Sequence, residues 1–422
     1  MIVDASIFKA YDIRGVYGKN LFDEVGEAIG KAFPKVVPTD TVVIGRDARV
    51  SSPALHDALI KGLTSVGMHV IDVGMVSTDM YYYACQLKNV PGIMITASHN
   101  PKEYNGFKMV RKIPYLLSGE EGIQDIRKAI ENDDYAPPSQ NPGTVEACDI
   151  MDGFIDKILS LVEYKNLKPM KVIVDTANGM VGPSIQKLFQ HLPQIELVEM
   201  YFDPDGTFPN HGGDPLQEEN RKELQERVVS EHADLGFAFD PDGDRFFCID
   251  KKGRFVSGDF MTTILARYFL QKSPGKTIVY DIRSSNAVPE TVHALGGVAI
   301  HNRVGHAFIK KTMMDKQAIM GGEITGHYYF QDFFYCDSGL APMMFVMDLL
   351  THSSQTFDQM LDELGNKYFI SGEINTKGVD SAAVLKKIQE TYAPSAKHVL
   401  TVDGISIIYD QWHFNVRASN TE

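Results

Sequence analysis

The chain has 422 residues, 44% hydrophobic and 23% charged, and a formal net charge of -14 at pH 7. That length exceeds one ordinary core, so several domains are expected, and the balance of apolar and charged residues is that of a soluble globular protein. The acidity argues against a nucleic-acid binder, and no apolar run approaches the roughly 18 residues of a membrane span.

The N-terminus, Met1-Ile2-Val3-Asp4 with Lys9 soon after, lacks the pattern of a signal peptide. Cys85, Cys148, Cys248 and Cys336 are widely separated and form no CxxC, so they read as structural thiols in a reducing cytoplasm. Val42-Val43-Ile44-Gly45-Arg46-Asp47 reads as a strand ending at an aspartate, followed by a polar turn, Pro53 and an amphipathic helix. The same signature recurs at Val172-Ile173-Val174-Asp175 with Pro183, and at Ile278-Val279-Tyr280-Asp281 with Pro289. Three such units predict three related α/β domains, whose strand carboxyl ends are the places for ligands.

Between the first two units, the apolar run Ile93-Met94-Ile95 breaks into Thr96-Ala97-Ser98-His99-Asn100-Pro101. Pro101 forces the chain out of the strand, which leaves Ser98 on a rigid element and open to a cleft. Such a serine can carry a phosphoryl group when a metal and fixed cations stand nearby. His99 shapes this loop rather than serving as a base, because sequence neighbours rarely face each other. Asn105-Gly106-Phe107-Lys108 follows closely enough to return Lys108 to the same cleft.

A second apolar run, Leu235-Gly236-Phe237-Ala238-Phe239, leads into Asp240-Pro241-Asp242-Gly243-Asp244-Arg245. Alternate carboxylates point to one side of an extended segment, and Pro241 and Gly243 can bend it so that the oxygens converge. Carboxylates plus a phosphate oxygen suit Mg²⁺. An EF-hand is excluded, since Arg245 and Lys251 occupy the positions of its invariant glycine and bidentate glutamate. A haloacid-dehalogenase-type phosphatase with Asp240 as nucleophile fits the local pattern, as does an acidic turn in water.

TASHNP, DPDGDR and the later Gly322-Glu323-Ile324-Thr325-Gly326-His327, in this order and at these separations, resemble the α-D-phosphohexomutase superfamily, most closely its bacterial phosphomannomutase/phosphoglucomutase branch. Phe8-Lys9-Ala10-Tyr11-Asp12-Ile13-Arg14-Gly15 and Arg417-Ala418-Ser419-Asn420-Thr421-Glu422 match as well, so the resemblance spans the chain. Tyr335-Cys336-Asp337-Ser338-Gly339 is similar to phosphomannomutases in particular.

The resemblance implies three related mixed α/β domains around a central cleft and a smaller α+β C-terminal domain. Boundaries are expected at 1–150 for the phosphoserine loop, 151–253 for the metal loop, 254–365 for the sugar loop and 366–422 for a phosphate-binding domain. In that last domain Tyr368 to Thr376 reads as a strand, Val384, Leu385, Ile388 and Tyr392 mark a helix face, and Ile405 to Tyr409 and Trp412 to Val416 read as adjacent strands. In the family a proline and further residues follow the last motif, so this domain is expected to be incomplete, with a loose loop around Arg417 to Thr421.

The implied reaction interconverts hexose 1-phosphate and hexose 6-phosphate through phosphorylated Ser98 and a hexose 1,6-bisphosphate, which also serves as activator. One Mg²⁺ per chain would sit on Asp240, Asp242 and Asp244, with Arg14, Arg245, Lys108 and His327 as the other catalytic groups. Lys108 and His327 are the candidates for proton transfer. Substrate contacts are expected from Tyr11, His99, Arg283, His306, Glu323 and Thr325, and the distal phosphate pocket from Arg417, Ser419, Asn420 and Thr421. Arg14, Lys108, Arg245, Arg283 and Arg417 would make the positive pocket that an anionic sugar needs within an acidic protein. At Thr325 the family usually carries serine; threonine keeps the hydroxyl and adds a methyl. A loop reading the 3- and 4-hydroxyls cannot separate mannose from glucose, so activity on both phosphates is expected, with mannose favoured by Tyr335 to Gly339. Phosphoglucosamine ranks lower, because the sugar loop of that branch differs. Two readings of other classes stay open: a metal-dependent sugar phosphatase using Asp240, and a sugar-phosphate-binding protein with little catalysis.

Overall fold

The computed structural model describes residues 1–372, 374, 376 and 378–418. The first sheet contains β1 (Ile13–Val16), β2 (Thr41–Arg46), β3 (His69–Met75), β4 (Gly92–Ile95), β5 (Tyr104–Lys112), β6 (Tyr115–Leu116) and β7 (Val145–Ala147). Its order is β1-β5-β4-β2-β3-β7, with β6 added beside β5. The central strands β2 and β4 run parallel, and β4 turns back antiparallel into β5. Every residue of β4 is buried, as a strand covered on both faces requires. Helices α1 (Asp23–Val36), α2 (Ser52–Ser65), α3 (Thr78–Lys88) and α4 (Gln124–Glu131) flank this sheet.

The second unit begins with α5 (Met151–Leu159) and orders its strands β11-β10-β8-β9, namely β8 (Met170–Asp175), β9 (Ile195–Met200), β10 (Leu235–Phe239) and β11 (Phe246–Asp250). Its helices are α6 (Val181–Phe189) and α7 (Glu218–Ser230). The third unit has α8 (Gly258–Lys272), β12 (Thr277–Asp281), α9 (Ala287–Ala294), β13 (Val298–Asn302) and α10 (His306–Lys316). It continues through β14 (Met320–Gly322), β15 (Tyr328–Phe330) and β16 (Cys336–Asp337), giving the order β13-β12-β14-β15-β16. The three strand–turn–proline–helix units read in the sequence are β2–α2, β8–α6 and β12–α9.

One apolar cluster runs through all three units, from Val43 and Tyr81 through Phe154, Val174 and Phe237 to Phe330 and Met344. A continuous core of this kind lets loops from different domains be placed against each other with interior precision. It includes α11 (Leu340–His352), buried from Leu340 to Leu350. Pro342 is tolerated in its first turn, where no intrahelical donor is lost. One oxygen of Asp348, Oδ2, accepts from the Tyr268 hydroxyl at 2.7 Å and from Lys272 at 2.8 Å. A final helix of this unit, α12 (Phe357–Gly365), carries a Thr356/Gln359 capping box. Among the described residues no helix is long and apolar enough to cross a membrane.

The C-terminal unit is a three-stranded antiparallel sheet, β17 (His398–Leu400), β18 (Ile405–Ile408) and β19 (His413–Val416), beside α13 (Ser381–Tyr392). The expected strand over Tyr368 to Thr376 is corrected: no described residue of that stretch lies in a strand. Lys367 and the Tyr368 hydroxyl instead reach Glu290 on α9, at 2.6 and 2.7 Å. Phe369 and Ile374 stay 89% and 80% exposed. A β-rich stretch without a partner edge gains nothing from extension.

Candidate active site

β4 delivers the serine loop to the carboxyl edge of the first sheet. Ser98 is 2% exposed and has φ 49°, a left-handed conformation that a side chain resists. Its backbone N–H donates to Thr96 Oγ1 at 2.9 Å, which holds the turn. Its hydroxyl donates to Asp240 Oδ2 at 2.8 Å and lies 3.2 Å from His99 Nδ1.

What fixes this strained loop is a residue the sequence reading missed. Arg49 is 1% exposed, and its guanidinium donates to the carbonyls of Ser98 (2.6 Å), Asn100 (2.7 Å), Pro101 (2.8 Å) and Tyr104 (3.0 Å). Asp47 lies 3.2 Å from its Nε, and Phe208 of the second unit packs over it. A rigid fork of donors suits several carbonyls at once. Only the position of Arg49 just beyond the Asp47 strand end hinted at it.

The metal loop is the turn joining antiparallel β10 and β11. Gly243, at φ 75°, lets the chain reverse, and the Asp240 side chain accepts from Arg245 N at 3.1 Å. Lys108, on β5, places Nζ 2.7 Å from Asp242 Oδ2 and 2.5 Å from Asp244 Oδ2. One oxygen from each of Asp240, Asp242 and Asp244 falls within 4.8 Å of the others. Asp242 Oδ1 and Asp244 Oδ1 are buried and have no hydrogen-bond partner among the described residues. Buried carboxylate oxygens are seldom left unpaired, and three such carboxylates suit a hard divalent cation. The residues therefore fit Mg²⁺.

Electrostatics within the cluster divide the three groups. Burial, together with Asp242 and Asp244, pushes the Asp240 carboxyl well above the usual range. Burial acts on Asp242 in the same sense, but Lys108 and the Thr78 hydroxyl outweigh it and hold Asp242 well below. For Lys108, burial lowers the pKa while Asp242 and Asp244 raise it further, so it stands as a firm ammonium. Lys108, expected to transfer protons, is thereby paired with both Asp242 and Asp244.

The third unit supplies the opposite wall. His327 Nε2 lies 3.2 Å from Arg245 Nε, and its Nδ1 lies 3.0 Å from Asp337 Oδ2. Arginine can only donate, so this network assigns the lone pair to Nε2 and the proton to Nδ1. Behind it, the fully buried Lys310 reaches Asp337 Oδ1 at 2.6 Å. Asp244, His327 and Asp337 also lie close together, but there the Nδ1 proton already serves Asp337.

Glu323 is buried and bonded by the Tyr329 hydroxyl; burial pushes its pKa up. Thr325 is half-buried in the same loop. His306 opens α10 with its ring stacked 6.4 Å from that of His327 and edge-on to Tyr11 at 6.1 Å. Burial and Lys310 push its pKa well down. Desolvation, with Arg245 and Arg14, does the same for His99. Arg14 donates to Asn100 Oδ1 at 2.5 Å and pairs with Asp12.

The remaining candidates line the rim. Tyr11 donates its hydroxyl to the Val304 carbonyl at 3.1 Å. Arg283 folds its Nε onto Asp281, 3.0 Å from each carboxylate oxygen. The C-terminal unit joins this rim where Asp403 accepts from Val304 N at 2.9 Å and His413 Nε2 meets the Ser284 carbonyl at 3.1 Å. Arg417 follows β19, half-buried, with Nη1 on the Ala418 carbonyl at 3.0 Å. Ser419, Asn420 and Thr421 lie outside the described residues.

Residues 5–136, 152–253 and 257–368 match, in turn, the families described as phosphoglucomutase/phosphomannomutase, alpha/beta/alpha domains I, II and III. A phosphomannomutase of Salmonella montevideo is 38% identical over 421 residues, covering 98% of this chain and 92% of the relative. Phosphohexose mutases of Xanthomonas campestris pv. campestris are 38% identical over 416 residues, with the same coverage. The crystal structure of a phosphoglucomutase/phosphomannomutase family protein from Burkholderia thailandensis superposes with a TM-score of 0.88 at 32% identity, over 100% of this chain and 92% of the other. Matched in sequence over nearly its whole length and in fold throughout, the chain belongs to the α-D-phosphohexomutase superfamily and is an isomerase that moves a phosphoryl group on sugar phosphates.

Proposed function

We propose that this chain interconverts hexose 1-phosphate and hexose 6-phosphate through phosphorylated Ser98 and a bound hexose 1,6-bisphosphate, with mannose phosphate preferred and glucose phosphate accepted. The observation that carries this reading is the contact of the Ser98 hydroxyl with Asp240, beside two carboxylates with free oxygens and the cations Arg14, Lys108 and Arg245. The work is divided among domains at 1–150, 151–253, 254–365 and 366–422.

Asp240, Asp242 and Asp244 would hold Mg²⁺, which supplies charge neutralisation for phosphoryl oxygens. From phosphorylated Ser98 the P–Oγ bond breaks as a bond forms from phosphorus to the free sugar hydroxyl. That hydroxyl releases its proton to His327 Nε2, the nitrogen that accepts from Arg245 in the free enzyme, and Arg245 turns to the phosphoryl oxygens. Glu323 and Thr325 bind ring hydroxyls, while Arg417 with Ser419, Asn420 and Thr421 grips the distal phosphate. Ser98 Oγ is left as an alkoxide whose charge the cation would offset. The bisphosphate reorients so that its other phosphate faces Ser98. Ser98 Oγ takes that group, and His327 returns its proton to the sugar oxygen so freed, leaving the isomeric product. Four unpaired cysteines support a cytoplasmic setting.

The test is intact mass of the protein and of Ser98→Ala after exposure to glucose 1,6-bisphosphate. The labelled protein is then offered mannose 1-phosphate and glucose 1-phosphate separately. The expected result is one added phosphoryl group that requires Ser98 and is discharged by either sugar, faster by mannose 1-phosphate. Phosphate release that survives in Ser98→Ala would point instead to a phosphatase using Asp240.

A further inference from the structure

The metal loop is braced by a residue of another domain. Thr78, the first residue of α3, is fully buried, and its hydroxyl donates to Asp242 Oδ2 at 2.7 Å across 164 positions of sequence. Its backbone N–H donates to the Asp242 carbonyl at 2.8 Å. Thr78 is itself held in place. Asp79 accepts from the Ser77 hydroxyl and from Met80 N at 2.9 Å, and its other oxygen accepts from Ser338 Oγ at 2.7 Å. From the third unit, Gly339 N donates to the Gly243 carbonyl at 3.2 Å, so the loop is gripped on two sides.

Asp242 Oδ2 has two donors, Thr78 Oγ1 and Lys108 Nζ, each at 2.7 Å. Asp242 Oδ1 has none among the described residues. The donors differ in stiffness: a β-branched hydroxyl has few rotamers, whereas lysine carries its charge on a flexible four-carbon stem. We infer that Thr78 is a positioning residue for the cation, its hydroxyl holding the Asp242 carboxylate in the rotation that keeps Oδ1 free for Mg²⁺. Without that hydroxyl, the carboxylate turns both oxygens toward Lys108, and the ammonium competes with the metal for the ligand. Groups that orient a metal-binding carboxylate typically change metal affinity by ~10–100-fold when lost. The inference rests on the assignment of Mg²⁺ to the three aspartates.

The experiment measures Mg²⁺ binding by calorimetry, without sugar, to the full chain and to Thr78→Val and Thr78→Ser, with metal-free melting curves alongside. The expected result is a dissociation constant raised ~10–100-fold in Thr78→Val. Thr78→Ser, which keeps the hydroxyl, should return most of the affinity. A role in folding alone would lower the metal-free melting temperature of Thr78→Val and leave its Mg²⁺ affinity at the wild-type value, and that result overturns the inference. Should Thr78→Val fail to fold, Thr78→Cys, with a weak donor in place of the hydroxyl, carries the same expectation. A wild-type chain that binds no Mg²⁺ would overturn the metal assignment itself, a result distinct from wild-type affinity in the variant.

Discussion

Ser98 Oγ lies 2.8 Å from Asp240 Oδ2, although 142 positions separate the two residues and each follows a strand of a different sheet. The contact puts the candidate nucleophile at the edge of the carboxylate cluster, where a phosphoryl group on Ser98 would meet the metal loop and the cations around it. Removing the hydroxyl should therefore abolish phosphoryl uptake.

Ser98→Ala is expected to lose mutase turnover by orders of magnitude while keeping the fold. Ser98→Gly should be equally inactive yet more stable than Ser98→Ala, by about 1 kcal/mol, because glycine adopts φ 49° without strain. A coupled assay together with urea unfolding of both variants checks this. Equal stability of the two would mean that the loop is not strained.

Asp240→Asn separates stability from metal binding. Burial and the neighbouring Asp242 and Asp244 disfavour the Asp240 carboxylate, so its neutral replacement should raise the melting temperature in metal-free buffer. The further rise that Mg²⁺ produces in the wild type should disappear. Scanning fluorimetry with and without Mg²⁺ reads both effects, and an undiminished Mg²⁺ effect would place the ion elsewhere.

Arg49 carries a testable share of the serine loop. Arg49→Met leaves four carbonyls and the buried Asp47 without their cation, and should cost about 3–5 kcal/mol in denaturant unfolding. Arg49→Lys keeps the charge but not the fork, so Ser98 phosphorylation should slow while sugar-phosphate binding is retained. Time-resolved intact mass and equilibrium binding separate these two readouts.

Asp79 gives the stability a pH dependence. Burial pushes its pKa up to about 7, against the lowering effect of the Ser77 and Ser338 hydroxyls, from an ordinary value of 3.8. As pH rises between these values, the unfolded chain releases a proton that the folded chain retains, so the stability contribution falls across that window and stays low above it. Asp79→Asn cannot ionise. Its melting temperature relative to wild type should thus be higher at pH 8 than at pH 5; a difference independent of pH would contradict the assignment.

Much of this was readable from local pattern. The strands ending at Arg46, Asp175 and Asp281 each lead through a turn to a helix with proline in its first turn, since periodicity, turn residues and proline placement are properties of neighbouring residues. The apolar runs before Thr96 and Asp240 are buried strands, as continuous hydrophobic runs in covered sheets should be. By contrast, Tyr368 to Thr376 has the composition of a strand, yet none of its described residues pairs with one, because pairing depends on an edge that sequence does not display.

The family, the succession of α/β units and the motifs that bear the chemistry are all written in contiguous residues. Which side chains those motifs meet depends instead on how distant segments pack. Thr78, Arg49, Lys310 and Lys108 are four more polar residues in the sequence until the packed core of three domains buries them against Asp242, the Ser98 loop and Asp337. In that interior an unpaired charge or hydroxyl is costly, so each finds a partner: Arg49 and Lys310 within their own unit, Thr78 and Lys108 across to the metal loop of the next.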